Sequence, residues 1–75
     1  MTEYMTVSWT EKFNGKWKVA SGMGVHGTHK KKKTALNKAK GEAQQVADEH
    51  DTAVIIDVHS KSGDYQRTEK VFPSR

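Results

Sequence analysis

The first part of the chain alternates apolar and polar side chains, which is the period-two pattern of a strand with one buried face. The alternation runs through residues 7–13 and resumes at Lys16, with Asn14-Gly15 between the two stretches. Both residues of that dipeptide tolerate the positive φ of a tight hairpin turn. We therefore expect a β-hairpin with one apolar face and one polar, partly basic face. Its apolar positions are Val7, Trp9, Phe13, Trp17 and Val19.

The period changes at Ala35, where apolar side chains begin to recur every three or four residues, as on one side of a helix. Between the hairpin and this helix, residues 21–27 contain three glycines. Their pattern leaves open a turn, a bulge and a short further strand. The residues expected on one side of the helix are Ala35, Leu36, Ala39, Ala43, Val46, Ala47 and His50.

After the helix, residues 53–59 are rich in β-branched side chains and predict a strand with Val54, Ile56 and Val58 facing inward. Residues 61–64 supply turn chemistry, and residues 65–72 predict a last, mostly polar strand that Pro73 ends. The order hairpin, helix, hairpin predicts a single α+β domain over residues 1–75. We expect a two-layer ββαββ fold, with an antiparallel sheet of about four strands and one helix packed on one face.

Composition narrows the class of protein. Thirteen Lys and Arg stand against nine Asp and Glu, and the formal net charge of +4 is a mild excess that favours anionic partners. The absence of cysteine removes disulfides and thiolate metal sites, which fits the cytoplasm. No apolar run is long enough to cross a membrane, and the first residues lack the pattern of a secretion signal. We therefore expect a cytoplasmic protein with no membrane partner.

Catalytic and metal-binding motifs are not recognisable in the sequence. It contains no P-loop, no nucleophile elbow and no recognisable triad. A chain of 75 residues builds a thin core rather than an enclosed catalytic cavity. The four histidines, His26, His29, His50 and His59, have no cysteine or patterned carboxylate beside them that would favour zinc. We therefore predict a non-enzymatic protein with no cofactor and no metal.

The most unusual feature is the run of four lysines that follows His29. Adjacent cations repel one another and oppose the dipole of a helix that begins beside them, so local stability does not explain the run. If Thr34 is the N-cap, the lysines lie in the preceding loop, where ammonium and backbone N–H groups together can hold a phosphate. The alternative is a solvated basic loop that keeps the chain soluble. The candidate nucleic-acid contacts are Lys30, Lys31, Lys32 and Lys33, with Lys16, Lys18 and Lys40 in support.

Several segments together resemble a family of small prokaryotic and phage domains of unknown function, over about residues 13 to 72. The resemblance implies a compact ββαββ domain and supplies no functional residues. Family members open the helix with acidic residues soon after the threonine, whereas here the lysine run intervenes. The residues that carry the resemblance are Gly15-Lys16-Trp17-Lys18-Val19, Val25-His26-Gly27-Thr28, the alanine-rich helix, Val54-Ile55-Ile56 and Ser62-Gly63.

Two weaker likenesses point towards nucleic acid. Gly15-Lys16-Trp17, followed by lysines and an alanine-bearing helix, looks like the arm-type DNA-binding domain of phage integrases, in which a small sheet reads the major groove. Gly22-Met23-Gly24, with Lys32-Lys33 ahead of the helix, is similar to the C-terminal half of double-stranded RNA-binding domains. Neither family accounts for the strands predicted after residue 52.

Two functions of different classes follow from these observations. The leading hypothesis is binding of nucleic acid, with DNA ahead of RNA, through backbone phosphates and without base specificity. Trp9 and Trp17 are expected to pack in the core as a cross-strand pair, and Tyr65 is a weaker candidate for base stacking. The alternative is a protein-interaction module, such as a phage or host accessory factor, which binds an acidic protein or forms a homodimer through a sheet edge.

Overall fold

The computed structural model describes residues 2–11 and 15–74, in which one helix packs on one face of a five-stranded sheet. The strand order is β3-β2-β1-β4-β5, so that β1 is central and a hairpin lies on each side of it. In chain order the elements are β1 Glu3–Thr10, β2 Lys16–Ser21, β3 Gly24–His29, α1 Lys32–His50, β4 Val54–His59 and β5 Tyr65–Val71.

The predicted α+β class and the single helix on one sheet face are confirmed, and two finer expectations are wrong. The sheet has five strands rather than four, because the glycine-rich segment forms β3. The sheet is also mixed rather than antiparallel, since β1 and β4 pair in parallel. This parallel pair follows from the route of the chain. The helix carries it from the end of β3 back to the end of the sheet where β1 began.

The register of β1 and β2 follows the apolar pattern. Trp9 lies opposite Trp17 and the last paired residues are Thr10 and Lys16, so positions 11–15 connect the strands. Cross-strand partners share a face, and this pairing keeps the apolar residues of both strands together. A two-residue turn at positions 14–15 would pair Trp9 with Ala20 and separate the tryptophans onto opposite faces. Asn14 and Phe13, on which that expected turn and strand end depend, lie outside the described residues.

The core lies between the helix and the sheet. Four helix alanines recur at every fourth position and are fully buried, which confirms the predicted small-residue face and allows the helix to lie close to the strands. The predicted inward set of β4 is confirmed, because all three of its residues are fully buried. The buried core consists of Met5, Val7, Trp17, Val19, Ala35, Ala39, Ala43, Ala47, Val54, Ile56 and Val58.

The helix begins at Lys32, before Ala35, where the apolar pattern of the sequence starts. Its N-cap is Lys31, which makes no side-chain capping hydrogen bond, so the arrangement considered with Thr34 as the N-cap is not the one found. Lys31 has extended φ and ψ angles, and its carbonyl accepts the first helical hydrogen bond, from the Ala35 N–H at 3.1 Å. The helix ends at Asp51, a C-cap in the left-handed region with φ of 51°. Lys32 and Lys33 therefore lie within the first turn rather than in a loop.

Candidate nucleic-acid interface

Three segments bring lysines to one end of the molecule. Trp17 pairs with His29, so the start of β2 and the end of β3 are adjacent, and Lys16 and Lys30 stand beside this last pair. The helix begins two residues after Lys30. Lys61 joins them because the β4–β5 turn follows the end of β4, which runs parallel to β1. We call this surface the basic end, and it comprises Lys16, Lys30, Lys31, Lys32, Lys33 and Lys61.

Two lysines of the basic end are held against the tryptophan pair. The Lys32 Nζ lies 5.1 Å from the centroid of the Trp17 ring, and the Lys61 Nζ lies 4.5 Å from that of Trp9. The two tryptophan rings meet edge to face, with centroids 5.4 Å apart. Each cation contacts an aromatic face, an arrangement that contributes roughly 0.5–1 kcal/mol at exposed sites. Trp17 thus packs in the core and Trp9 packs against it as its expected cross-strand partner, and each ring also contacts one ammonium group.

Three other lysines of this surface are free to meet a ligand. Lys30, Lys31 and Lys33 are exposed. Within residues 2–11 and 15–74, no carboxylate lies within ion-pair distance of any of them. Lys32, in contrast, is half-buried and also donates a hydrogen bond to the Gln66 side chain. The lysine run therefore divides into one residue engaged with the fold and three that project from it.

Lys18 and Lys40 lie apart from the basic end. Lys18 pairs with Ser8 and Thr28 on the face of the sheet away from the helix, because its neighbours Trp17 and Val19 point towards the helix. Lys40 follows Lys32 by eight residues, about 12 Å along the helix axis. Its Nζ lies 3.7 Å from Glu69 Oε1. Of the seven lysines that the sequence singled out, five meet at one end and these two do not.

The opposite end of the helix carries the opposite charge. Asp48, Glu49 and Asp51 lie at or beside the C-terminus of the helix, about 28 Å from its first residue. Asp48 accepts a hydrogen bond from the Ser74 N–H at 2.8 Å. A cleft of about 500 Å³ lies here, lined by Asp48, Asp51, Pro73 and Ser74. The described residues therefore place clustered positive charge at the start of the helix and clustered negative charge at its end.

The sheet face away from the helix exposes two aromatic rings. Tyr65, the expected stacking candidate, is 59% exposed, and its hydroxyl bonds to the Thr68 side chain. Tyr4 is equally exposed. The two residues lie on different strands, and the sequence pattern drew attention to only one of them. Tyr4 escaped notice because a single tyrosine at the start of a strand looks the same whether its face is covered or open.

The histidines lie in separate places. His26 Nδ1 contacts Glu42 Oε2 at 2.8 Å, His29 ends β3, and His59 packs its ring edge to face against Tyr65. In the described parts of the chain, no three His, Cys, Asp or Glu side chains come together as metal ligands. In the same parts, no helix combines the length and apolar character that crossing a bilayer requires.

Comparisons with protein-family models, with curated proteins and with solved structures find no match to this chain. The resemblances drawn from sequence segments therefore remain predictions. The functional argument depends on the arrangement of charge and side chains in this structure.

Proposed function

We propose that this domain binds nucleic acid through backbone phosphates at the basic end. The observation that carries the proposal is that six lysines lie at one end of the molecule. They come from the start of β2, the start of the helix and the β4–β5 turn. Lys30, Lys31 and Lys33 make the principal contacts because they are exposed and form no ion pair with the part of the chain that the structure describes. Lys32, Lys61 and Lys16 add to the local positive potential.

Charge placement against the helix dipole supports this function. Lys32 and Lys33 lie in the first helical turn, which contains no acidic residue. Each cation there opposes the partial positive charge of the helix N-terminus, at a cost of about 0.3–1 kcal/mol at low salt. A bound phosphate would reverse the sign of that interaction, because it is attracted both to the ammonium groups and to the helix N-terminus. The arrangement that is unfavourable in the free protein favours an anionic ligand.

Lack of base specificity is part of the proposal. Lysine is a flexible point charge, whereas base edges are read by planar, bidentate groups such as Arg and Asn. The basic end contains lysines alone among its cations, apart from the neighbouring His29. We therefore expect similar affinity for different duplex sequences. Lys18 and Lys40 contribute only through the overall charge.

The test compares two triple variants with the same change in charge. One replaces Lys30, Lys31 and Lys33 by Gln, and the control replaces Lys18, Lys38 and Lys70. Fluorescence anisotropy of labelled duplex DNA is measured between roughly 50 and 200 mM salt. Losing three phosphate contacts lowers the slope of log K against log salt by about 2.7, whereas the control keeps the parent slope. Equal losses in both variants, or no binding by the parent at the lowest salt, would reject the proposal.

The protein-interaction alternative has an observation of its own. Among the described residues, both outer strands, β3 and β5, leave one edge unpaired. The β2–β3 turn exposes Met23 at 93%, and the start of β3 exposes Val25 at 61%. An apolar hairpin beside an open strand edge favours strand addition by a second copy. Sedimentation equilibrium distinguishes the functions, because a dimer that persists in Met23→Lys would argue against this edge. If the parent protein remained a monomer at high concentration, the homodimer hypothesis would be rejected.

A further inference from the structure

Three side chains beside the β2–β3 turn form a continuous hydrogen-bonded chain. Ser21 Oγ lies 2.6 Å from His26 Nε2, and His26 Nδ1 lies 2.8 Å from Glu42 Oε2. Ser21 ends β2, His26 belongs to β3 and Glu42 stands in the middle of the helix. None of the three belongs to the basic end. The order of the three groups is hydroxyl, imidazole, carboxylate, as in a serine nucleophile with its general base. The ring atoms also correspond, because Nε2 contacts the hydroxyl and Nδ1 contacts the carboxylate.

A β-bulge brings the histidine to this position. Val19 pairs with Gly27 and Ala20 pairs with Val25, so His26 is the extra residue of β3. A bulge breaks the strict alternation of side chains and redirects the inserted residue, and such bulges are frequent beside active sites. The redirected imidazole reaches the helix side of the sheet, where Glu42 accepts its hydrogen bond.

The contact with Glu42 selects the tautomer of His26. The Glu42 carboxylate can only accept, so the hydrogen shared with it lies on His26 Nδ1. In the neutral imidazole Nε2 then carries no hydrogen and accepts the hydroxyl hydrogen of Ser21, whose Oγ also accepts a hydrogen bond from the Met23 N–H at 3.2 Å. This is the tautomer in which an imidazole acts as general base towards a serine.

The serine is half-buried and borders an open turn. A Cβ placed on either Gly22 or Gly24 would meet no atom within 4 Å outside its own chain neighbours, so the turn leaves room for a ligand. The neighbouring Met23 is 93% exposed and offers an apolar contact for an acyl group. The His26 side chain is 26% exposed, and its ring is held by its two partners, Ser21 and Glu42.

We propose that Ser21 is a nucleophile for acyl transfer from activated carboxylic esters, with His26 as its general base and Glu42 as the positioning residue. Ser21 Oγ attacks the ester carbonyl carbon while its proton moves to His26 Nε2. The bond from that carbon to the leaving oxygen breaks, and the leaving group takes the proton from Nε2. Water then attacks the acyl-serine in the same way, which releases the acid and restores the Ser21 hydroxyl. Because the leaving group of an activated ester departs more easily than the Ser21 alkoxide, we expect acylation to exceed turnover.

The first test treats the intact protein with a fluorophosphonate and, separately, with p-nitrophenyl acetate, and maps each adduct by mass spectrometry. We expect one adduct per chain, located on Ser21. Ser21→Ala should abolish it, whereas Ser62→Ala, which alters an exposed serine of the other outer turn, should leave it unchanged. Adducts confined to lysines, or equal labelling in Ser21→Ala, would overturn the proposal. Mapping on the parent protein needs no variant and so holds even where a substitution impairs folding.

The second test assigns the roles of the other two residues from rates of acylation. His26→Ala should slow acylation by about 100-fold, the usual contribution of a general base. Glu42→Gln keeps the shape but removes the charge, so it should slow acylation less and alter its pH profile. The control His50→Ala changes an exposed histidine at the end of the helix and should match the parent. Unchanged rates in both His26→Ala and Glu42→Gln would show that Ser21 is not activated. DNA affinity should be the same in all four proteins, which separates this site from the basic end.

Discussion

The two outer hairpins share one backbone feature, a β-bulge, but differ in the burial of their aromatic side chains. β2–β3 and β4–β5 each contain one bulge, and the extra residue of each contacts the helix, His26 reaching Glu42 and Gln66 reaching Lys32. The hairpins differ in where they place their aromatic residue. Trp17 of β2 is buried beneath the helix at 9% exposure, whereas Tyr65 of β5 is 59% exposed. The first hairpin therefore buries its aromatic side chain in the core, whereas the second leaves its aromatic side chain exposed to solvent.

Aromatic truncation should give the largest difference between the hairpins. Trp17→Ala removes a buried indole together with its contacts to Trp9 and Lys32, and should lower the free energy of unfolding by about 3–5 kcal/mol. Tyr65→Ala should cost less than about 1 kcal/mol because its ring is mostly solvated. Urea denaturation followed by circular dichroism measures both. Trp17→Phe serves where the alanine variant no longer folds, and similar losses in the two hairpins would contradict the comparison.

The buried faces of the helix and of β4 could be predicted from the sequence, whereas the outer strands could be predicted only in part. Alanines at every fourth helix position and the alternation of β4 are local patterns that determine which side is buried. The existence of β3 stayed one of three alternatives, because glycines carry no side chain to show a period. The parallel pairing of β1 with β4 was hidden, since a strand's own pattern says which face is buried but not which strand lies beside it.

The candidate sites divide in the same way. A run of lysines is visible in any sequence, so most of the basic end was found, although Lys18 and Lys40 were grouped with it. The Ser21, His26 and Glu42 chain was missed because it depends on the bulge. Under regular alternation, neighbouring positions of β3 point to opposite faces, and an inserted residue is not visible in the pattern. The short spacing of Ser21 and His26 around a glycine turn was the signal present.

The second prediction concerns the turns of the two hairpins. Gly24 and Gly63 have φ of +117° and +96°, which side-chain-bearing residues rarely adopt. Replacing either by Ala should cost about 1–3 kcal/mol. Gly22 is the matched control because it lies in the same turn as Gly24, without a positive φ and with open space around it. Its change to Ala should shift stability by less than about 0.5 kcal/mol. Thermal unfolding measures the stability of the three variants. A larger loss of stability in Gly22→Ala than in the other two would contradict the prediction.

The third prediction concerns a substitution in the helix that should raise the stability of the domain. Gly41 lies within the helix, is exposed and has open space where a Cβ would stand. Gly41→Ala should therefore stabilise the domain by about 0.8–1 kcal/mol, through the lower entropy of the unfolded chain. The gain should add to the effects of Trp17→Phe and Tyr65→Ala, which are far from it in the sequence and on other elements. A loss of stability measured by urea unfolding would indicate that the helix needs its glycine.

The smallest effects should come from the two bulge contacts, and their comparison also bears on the proposed nucleophile. Each contact joins one charged group to one neutral group when the His26 imidazole is neutral, so double-mutant cycles should give similar couplings below about 1 kcal/mol. Suitable pairs are His26→Ala with Glu42→Gln, and Gln66→Ala with Lys32→Met, which keeps the packing on Trp17. Both cycles should change little between low and high salt, because neither is an ion pair. A coupling that weakens with salt only in the first cycle would mean that His26 is charged. Its Nε2 would then carry a hydrogen and could not accept the proton of Ser21, so that result would count against acyl transfer while leaving the basic end untouched.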